Sequence, residues 1–204
     1  MTRAPQKAEA STDAKILEAA AESIRKHGPR RTTVVDVAEA AGMSHANVYR
    51  YFPSKAALFE EVTAQWLRPL ENETRGIREA PDPAPDKLER ILLATHRAYR
   101  DRLERDPALF RLFADLAARD APVVRKHWGR AQALVQRVIE EGFSQGAFRP
   151  GDVNRATIAI FDLCHRFLHP AAILLDGGVP RAAIDARAGR AARVALNALA
   201  QGRY

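Results

Sequence analysis

The chain has 204 residues, 47% of them apolar, and a net charge of +7 with a pI near 10. That is long and apolar enough for a real core, which excludes a disordered chain, and the basic balance favours polyanionic partners without bearing on fold. Its single cysteine, Cys164, excludes an intrachain disulfide and points to a reducing compartment, while the absence of 18 consecutive apolar residues argues against a membrane-spanning helix.

The N-terminus, MTRAPQKAEAST, lacks the apolar stretch of a secretory signal, so residues 1–11 are expected to be a flexible basic arm and the protein to be cytoplasmic. Ile16, Leu17, Ala20, Ala21 and Ile24 recur at helical spacing and predict a first helix over about 13–27, ended by Gly28-Pro29. Val34, Val37, Ala38 and Ala41 predict a second, capped by Thr33 with Asp36 three residues on to complete a capping box. Gly42 supplies the left-handed conformation of a sharp turn. Ser44 then caps a third helix that buries Val48 and Phe52 and leaves His45, Ala46, Asn47, Tyr49 and Arg50 outward. Two helices around a 3–4-residue turn, the second with an exposed polar and aromatic face, form a helix-turn-helix.

A fourth helix starts near Ser54 and carries Leu58, Phe59, Val62, Trp66 and Leu67; Pro69 is expected to kink or end it. The segment APDPAP, 80–85, reads as a non-helical linker. Further helices are predicted over 86–103, 107–118, 122–144, 152–175 and 181–201, with Asp106-Pro107 and Gly151-Asp152 as start signals. No strand alternation or repeat is present in the pattern. The architecture expected is all-α, about nine helices: a DNA-binding helix-turn-helix head over 1–56 and a larger helical bundle over 57–204, to which the family resemblance described below assigns ligand binding and dimerisation.

Read as chemistry, Asn47 can bond adenine's major-groove edge twice, and His45 or Tyr49 can donate once. Lys55 stands at a helix N-terminus, where backbone donors already favour an anion, and Thr33 can reach a phosphate as well as cap. His165 and His169, four apart, share a helix face at a spacing that suits a metal, but no third ligand is indicated, so neither metal nor cofactor is expected. No activated nucleophile or phosphate loop is evident, so the chain is not expected to be an enzyme. A helical-bundle enzyme stays as the weaker alternative, beside an effector-independent DNA-binding protein.

The runs Thr32-Thr33-Val34, Val37-Ala38, Ala41-Gly42-Met43-Ser44, Val48-Tyr49-Arg50-Tyr51-Phe52 and Ser54-Lys55-Ala56-Ala57-Leu58 resemble the N-terminal signature of the tetracycline-repressor (TetR) family of bacterial regulators. The resemblance covers about residues 12–62; Val35 departs from it, standing where members often carry a polar or basic residue. It implies base contacts from Ser44, His45, Ala46 and Asn47 and phosphate contacts from Tyr49, Tyr51 and Lys55. It further implies a ligand-released repressor of a palindromic double-stranded operator, with an effector pocket in the bundle. His96, Tyr99, Phe113, Trp128, Phe161 and His165 are its expected lining, which suits a small, mostly apolar or aromatic effector. The small residues of the last two helices, Ala182, Ala183, Ala186, Ala188, Ala191, Ala192, Ala195 and Ala198, are the expected homodimer interface, with Ile158, Phe161 and Phe167.

Overall fold

The computed structural model describes residues 11–204, which contain ten helices and no strand. The expected arm over 1–11 lies, apart from Ser11, outside the described residues. The chain divides into two compact units between Val62 and Thr63, six residues after the expected boundary. Leu58, Phe59 and Val62, buried on the fourth helix, fall with the first unit.

In the first unit, α1 (Thr12–His27), α2 (Val34–Ala40) and α3 (His45–Tyr51) enclose a core of Ile16, Ala20, Ile24, Val37 and Val48, each fully buried. Thr33 accepts from the Asp36 amide at 3.1 Å and the Asp36 carboxylate accepts from the Thr33 amide at 2.9 Å, the reciprocal capping box expected of this pair. After α2 the Met43 amide donates to Ala38 and the Gly42 amide to Glu39, a Schellman closure with Gly42 at φ 68°. Buried Thr32 seals the α1–α2 connection by donating to the Gly28 carbonyl at 3.0 Å.

Helix α4 (Lys55–Glu79) continues past Pro69, so of the expected kink or end, the end does not occur. Pro69 and Gln65, whose carbonyl loses its helical partner, are both exposed, so water takes the place of the missing bond. The linker is also shorter than 80–85. Ala84 and Pro85 open α5 (Ala84–Arg105), where a first-turn proline lacks only an amide that has no helical partner anyway.

In the second unit, α5 packs against α6 (Pro107–Ala118), α7 (Pro122–Ser144), α8 (Val153–Leu168), α9 (Pro170–Leu175) and α10 (Arg181–Gln201). Leu88, Ile91, Val138, Ile139, Phe148, Ile160, Ala195 and Leu199 form the main core. A second, aromatic cluster joins Trp66, Tyr99, Phe110 and Phe113, with centroids 5.5–6.3 Å apart. The expected helix over 152–175 is two: His169 leaves the helical conformation and Pro170 starts α9. Asp152 caps α8 by accepting from the amides of Asn154 and Arg155.

Val153–Leu175 passes, by length and composition, as apolar enough to cross a membrane, although it holds no run of 18 consecutive apolar residues and is interrupted at His169. The reason is that α8 is apolar on more than one side. It buries Ala156, Ile160, Cys164 and Phe167 in the core and leaves Ile158 and Leu163 exposed.

Candidate functional site

The first unit presents an exposed reading face. Ser44 caps α3 by accepting from the Asn47 amide at 3.2 Å, which fixes the start of the helix and leaves the Asn47 side chain with no partner among the described residues. His45 and Tyr49, one turn apart, meet edge to face at 4.7 Å, so each ring limits the other's rotation. Tyr49 and Tyr51 are 40% and 46% exposed, which leaves both hydroxyls within reach of an external partner rather than in the core. Ser54 caps α4 by accepting from the Ala57 amide, and Lys55 stands in that first turn with its ammonium 5.1 Å from the Phe59 ring centroid. A cation beside a helix N-terminus is an anion site by charge and by dipole together. Ala46 and Thr33 are exposed on the same unit, as is the apolar side chain of Val35, at 48%.

The second unit holds a cavity of about 600 Å³ between α4, α5, α7 and α8. Its apolar wall includes Leu92, Leu134, Val135, Phe161 and Leu168. Of the residues expected from the sequence to line a pocket, Tyr99, Trp128, Phe161 and His165 do so. His96 and Phe113 lie outside that lining. His96 is buried at the α5–α10 contact, with Nε2 2.8 Å from Asp185 Oδ1, and Asp185 is itself held by Arg181 at 2.9 Å. Phe113 is fully buried among Trp66, Tyr99, Phe110 and His127.

Several cavity residues were not expected from the sequence: Glu71, Arg75 and Arg78 on α4, and His127, Arg130 and Arg137 on α7. Glu71, Arg75 and Arg78 share one helical face, a signal visible only if α4 continues past Pro69. They include a buried polar relay. The Tyr99 hydroxyl lies 2.7 Å from His127 Nε2, and His127 Nδ1 lies 2.8 Å from Glu71 Oε1. Arg130 closes the chain on Glu71 Oε2 at 3.0 Å. The hydrogen bond from His127 holds the Glu71 carboxyl below its ordinary range, against the opposing effect of burial. An ionised Glu71 only accepts, so His127 Nδ1 donates to it, and Nε2 of the same ring accepts the hydrogen bond from the Tyr99 hydroxyl. Burial pushes the Tyr99 hydroxyl far above its usual range, so it stays protonated.

His165 on α8 and His169 just beyond its end stack with centroids 4.7 Å apart and planes 20° from parallel, and Trp128 meets His169 at 5.3 Å. His169 Nδ1 is buried without a hydrogen-bond partner.

The helices at the other face carry a different pattern from the one expected. Ala188, Ala192, Ala195 and Ile184 are buried within the protomer, packed against α5 and α8, so they belong to its own core. The large apolar side chains that remain exposed there are Leu163 on α8 and Val194 on α10, at 45% and 56%.

Residues 16–62 match the bacterial regulatory proteins of the tetR family, and residues 84–177 match the tetracyclin repressor-like C-terminal domain. The chain is similar to the transcriptional repressor KstR2 of Mycolicibacterium smegmatis, 28% identical over 164 residues, 78% of this chain and 75% of that one. Among solved structures, the fatty acid degradation regulator FadR of Bacillus halodurans has the same fold, with a TM-score of 0.65, 19% identity and coverage of 91% of this chain and 98% of that one. FadR of Bacillus subtilis in complex with stearoyl-CoA gives a TM-score of 0.64 at 17% identity, covering 93% and 98%.

Proposed function

The chain belongs to the TetR family of DNA-binding, ligand-responsive transcriptional repressors, and from that premise we propose that it binds a palindromic operator as a homodimer and releases it when a small effector enters the cavity of its second unit. It is a regulator, not an enzyme. The observation that carries the reading is the exposed polar and aromatic surface of α3 with its Ser44 cap and the neighbouring start of α4; on this reading Ser44, His45, Ala46 and Asn47 meet base edges and Tyr49, Tyr51 and Lys55 meet phosphates.

The cavity supports the effector half. About 600 Å³ lies within the range of small-molecule sites, and its wall is apolar with a few convergent polar groups, Tyr99 and His127 foremost. Trp128 and Phe161 suit a mostly apolar or aromatic body. A two-fold pairing across α8 and α10, centred on Leu163 and Val194, doubles the contacts that one small head can make. A regulator that acts on genomic DNA is read as cytoplasmic, and no membrane partner is proposed for it.

The test is titration of the protein against the DNA flanking its own coding region, followed by anisotropy. Binding of a palindrome at two protomers per site, with affinity lowered by a bound small molecule, is the expected result. Equal affinity for that DNA and for random DNA at the same salt overturns the operator reading.

A further inference from the structure

The effector expected from the sequence is a small, mostly apolar or aromatic molecule. The cavity itself is electrically lopsided. Four arginines line it, Arg75, Arg78, Arg130 and Arg137, against two carboxylates, Glu71 and Asp162, so with neutral histidines the excess is 4 − 2 = +2. The pairing is more lopsided than the count. Glu71 is already engaged by His127 and Arg130, and Arg78 pairs with Glu79 at 3.1 Å. Arg75 bonds only the neutral Asn72 Oδ1, at 3.2 Å, and Arg137 has no acidic partner among the described residues.

Two guanidinium groups without counter-charge therefore border an apolar cavity, one from α4 and one from α7. Guanidinium forks bind carboxylate and phosphate oxygens in pairs, and next to a low-dielectric wall such a bond is stronger than in water. An apolar cation gains nothing there and is repelled. A neutral apolar molecule fills the cavity but leaves both arginines to water. We infer that the cavity selects an amphiphile with an apolar body and a terminal anion, a carboxylate or phosphate, held by Arg75 of α4 and Arg137 of α7. This rests on the reading of the cavity as the effector site.

The experiment uses the full chain and three probes of one tail length: decanoate, decan-1-ol and decylamine, each below its aggregation threshold. Calorimetry should give decanoate an affinity at least about tenfold above decan-1-ol, with decylamine weakest, and the advantage should shrink with added salt. Arg75→Gln with Arg137→Gln should remove the decanoate advantage and leave decan-1-ol binding unchanged. The same pair changed to lysine should keep part of it, since charge remains while the fork is lost. Both side chains are exposed, so the variants should fold, which circular dichroism checks. Decan-1-ol binding as tightly as decanoate, an undiminished preference in the glutamine variant, or no binding of any probe overturns the inference. DNA affinity is read separately by anisotropy. Release by decan-1-ol without anion preference sinks the charge inference and leaves the effector reading standing. Anion-selective binding that leaves DNA affinity unmoved does the reverse.

Discussion

The Tyr99 hydroxyl and His127 Nε2, 2.7 Å apart at the wall of the cavity, join α5 to α7 through one buried hydrogen bond, and Glu71 on α4 extends it from the other ring nitrogen. His127 is the hydrogen-bond partner of the buried Tyr99 hydroxyl and shares Glu71 with Arg130. Replacing His127 by Leu leaves the buried Tyr99 hydroxyl without a partner, which costs about 1–3 kcal/mol, and leaves Glu71 to Arg130 alone. Tyr99→Phe removes only the terminal hydroxyl and should cost about 0.5–1.5 kcal/mol. The double variant should be less destabilised than the sum of the two, because the phenylalanine no longer needs a partner. Urea denaturation of all four proteins measures this; strict additivity would mean the bond contributes nothing in solution.

The same relay makes stability sensitive to acid. Glu71 sits below its ordinary value of 4.5, chiefly through the hydrogen bond from His127, despite the opposing effect of burial. A depressed carboxyl contributes stability that is fully present above the unfolded-state value and is lost as pH falls through the folded-state value. Urea midpoints should therefore fall below about pH 4.5 more steeply for the native chain than for Glu71→Gln. Parallel curves for the two would show that Glu71 is not the titrating group.

The head was legible in the sequence because its signals are local. Thr33 with Asp36, Gly42 at positive φ and Ser44 before Asn47 each act within four residues, and the structure shows each in that role. The body was legible only in class. Helical spacing puts His96 and Phe113 on a buried face, but what they meet there depends on Asp185 and Trp66, 89 and 47 residues away. Pro69 hid the polar side of the cavity. Reading a helix end there breaks the stripe of Glu71, Arg75 and Arg78, which is continuous once the orphaned carbonyl is left to water. Of the α10 alanines that look like an interface in sequence, Ala188, Ala192 and Ala195 are buried in the unit's own core, while Ala182, Ala183 and Ala186 stay exposed.

For the reading face, Lys55→Ala should weaken binding to all DNA sequences about equally and lower the salt slope by roughly one unit, since one phosphate contact is lost. Asn47→Ala should cost about 1–3 kcal/mol on the true operator and relax the choice at one base pair. Its backbone amide still donates to Ser44, so the cap on α3 survives the substitution. A loss for Asn47→Ala that is the same on operator and random DNA would remove its base-reading role.

The dimer face is tested by contrasting exposed with buried positions on the same two helices. Leu163 and Val194 are exposed, on α8 and α10, and those helices pack against each other within the protomer. A glutamate at either position costs an isolated protomer little, because its charge stays in water. In a close-packed apolar interface the same charge is desolvated without a partner, a penalty of several kcal/mol. Leu163→Glu and Val194→Glu should therefore yield helical monomers that unfold at nearly the native temperature and bind operator DNA weakly, with one head in place of two. Ala192→Glu is the contrasting case. Ala192 is buried in the core beside Ala195 and Leu199, so a glutamate there should destabilise the protomer itself, whatever its assembly. Sedimentation and thermal unfolding together separate the outcomes. Unchanged dimers for both Leu163→Glu and Val194→Glu would move the two-fold axis to another surface. Monomers that still hold the palindrome at native affinity would show that pairing of the heads is not what makes the operator complex tight.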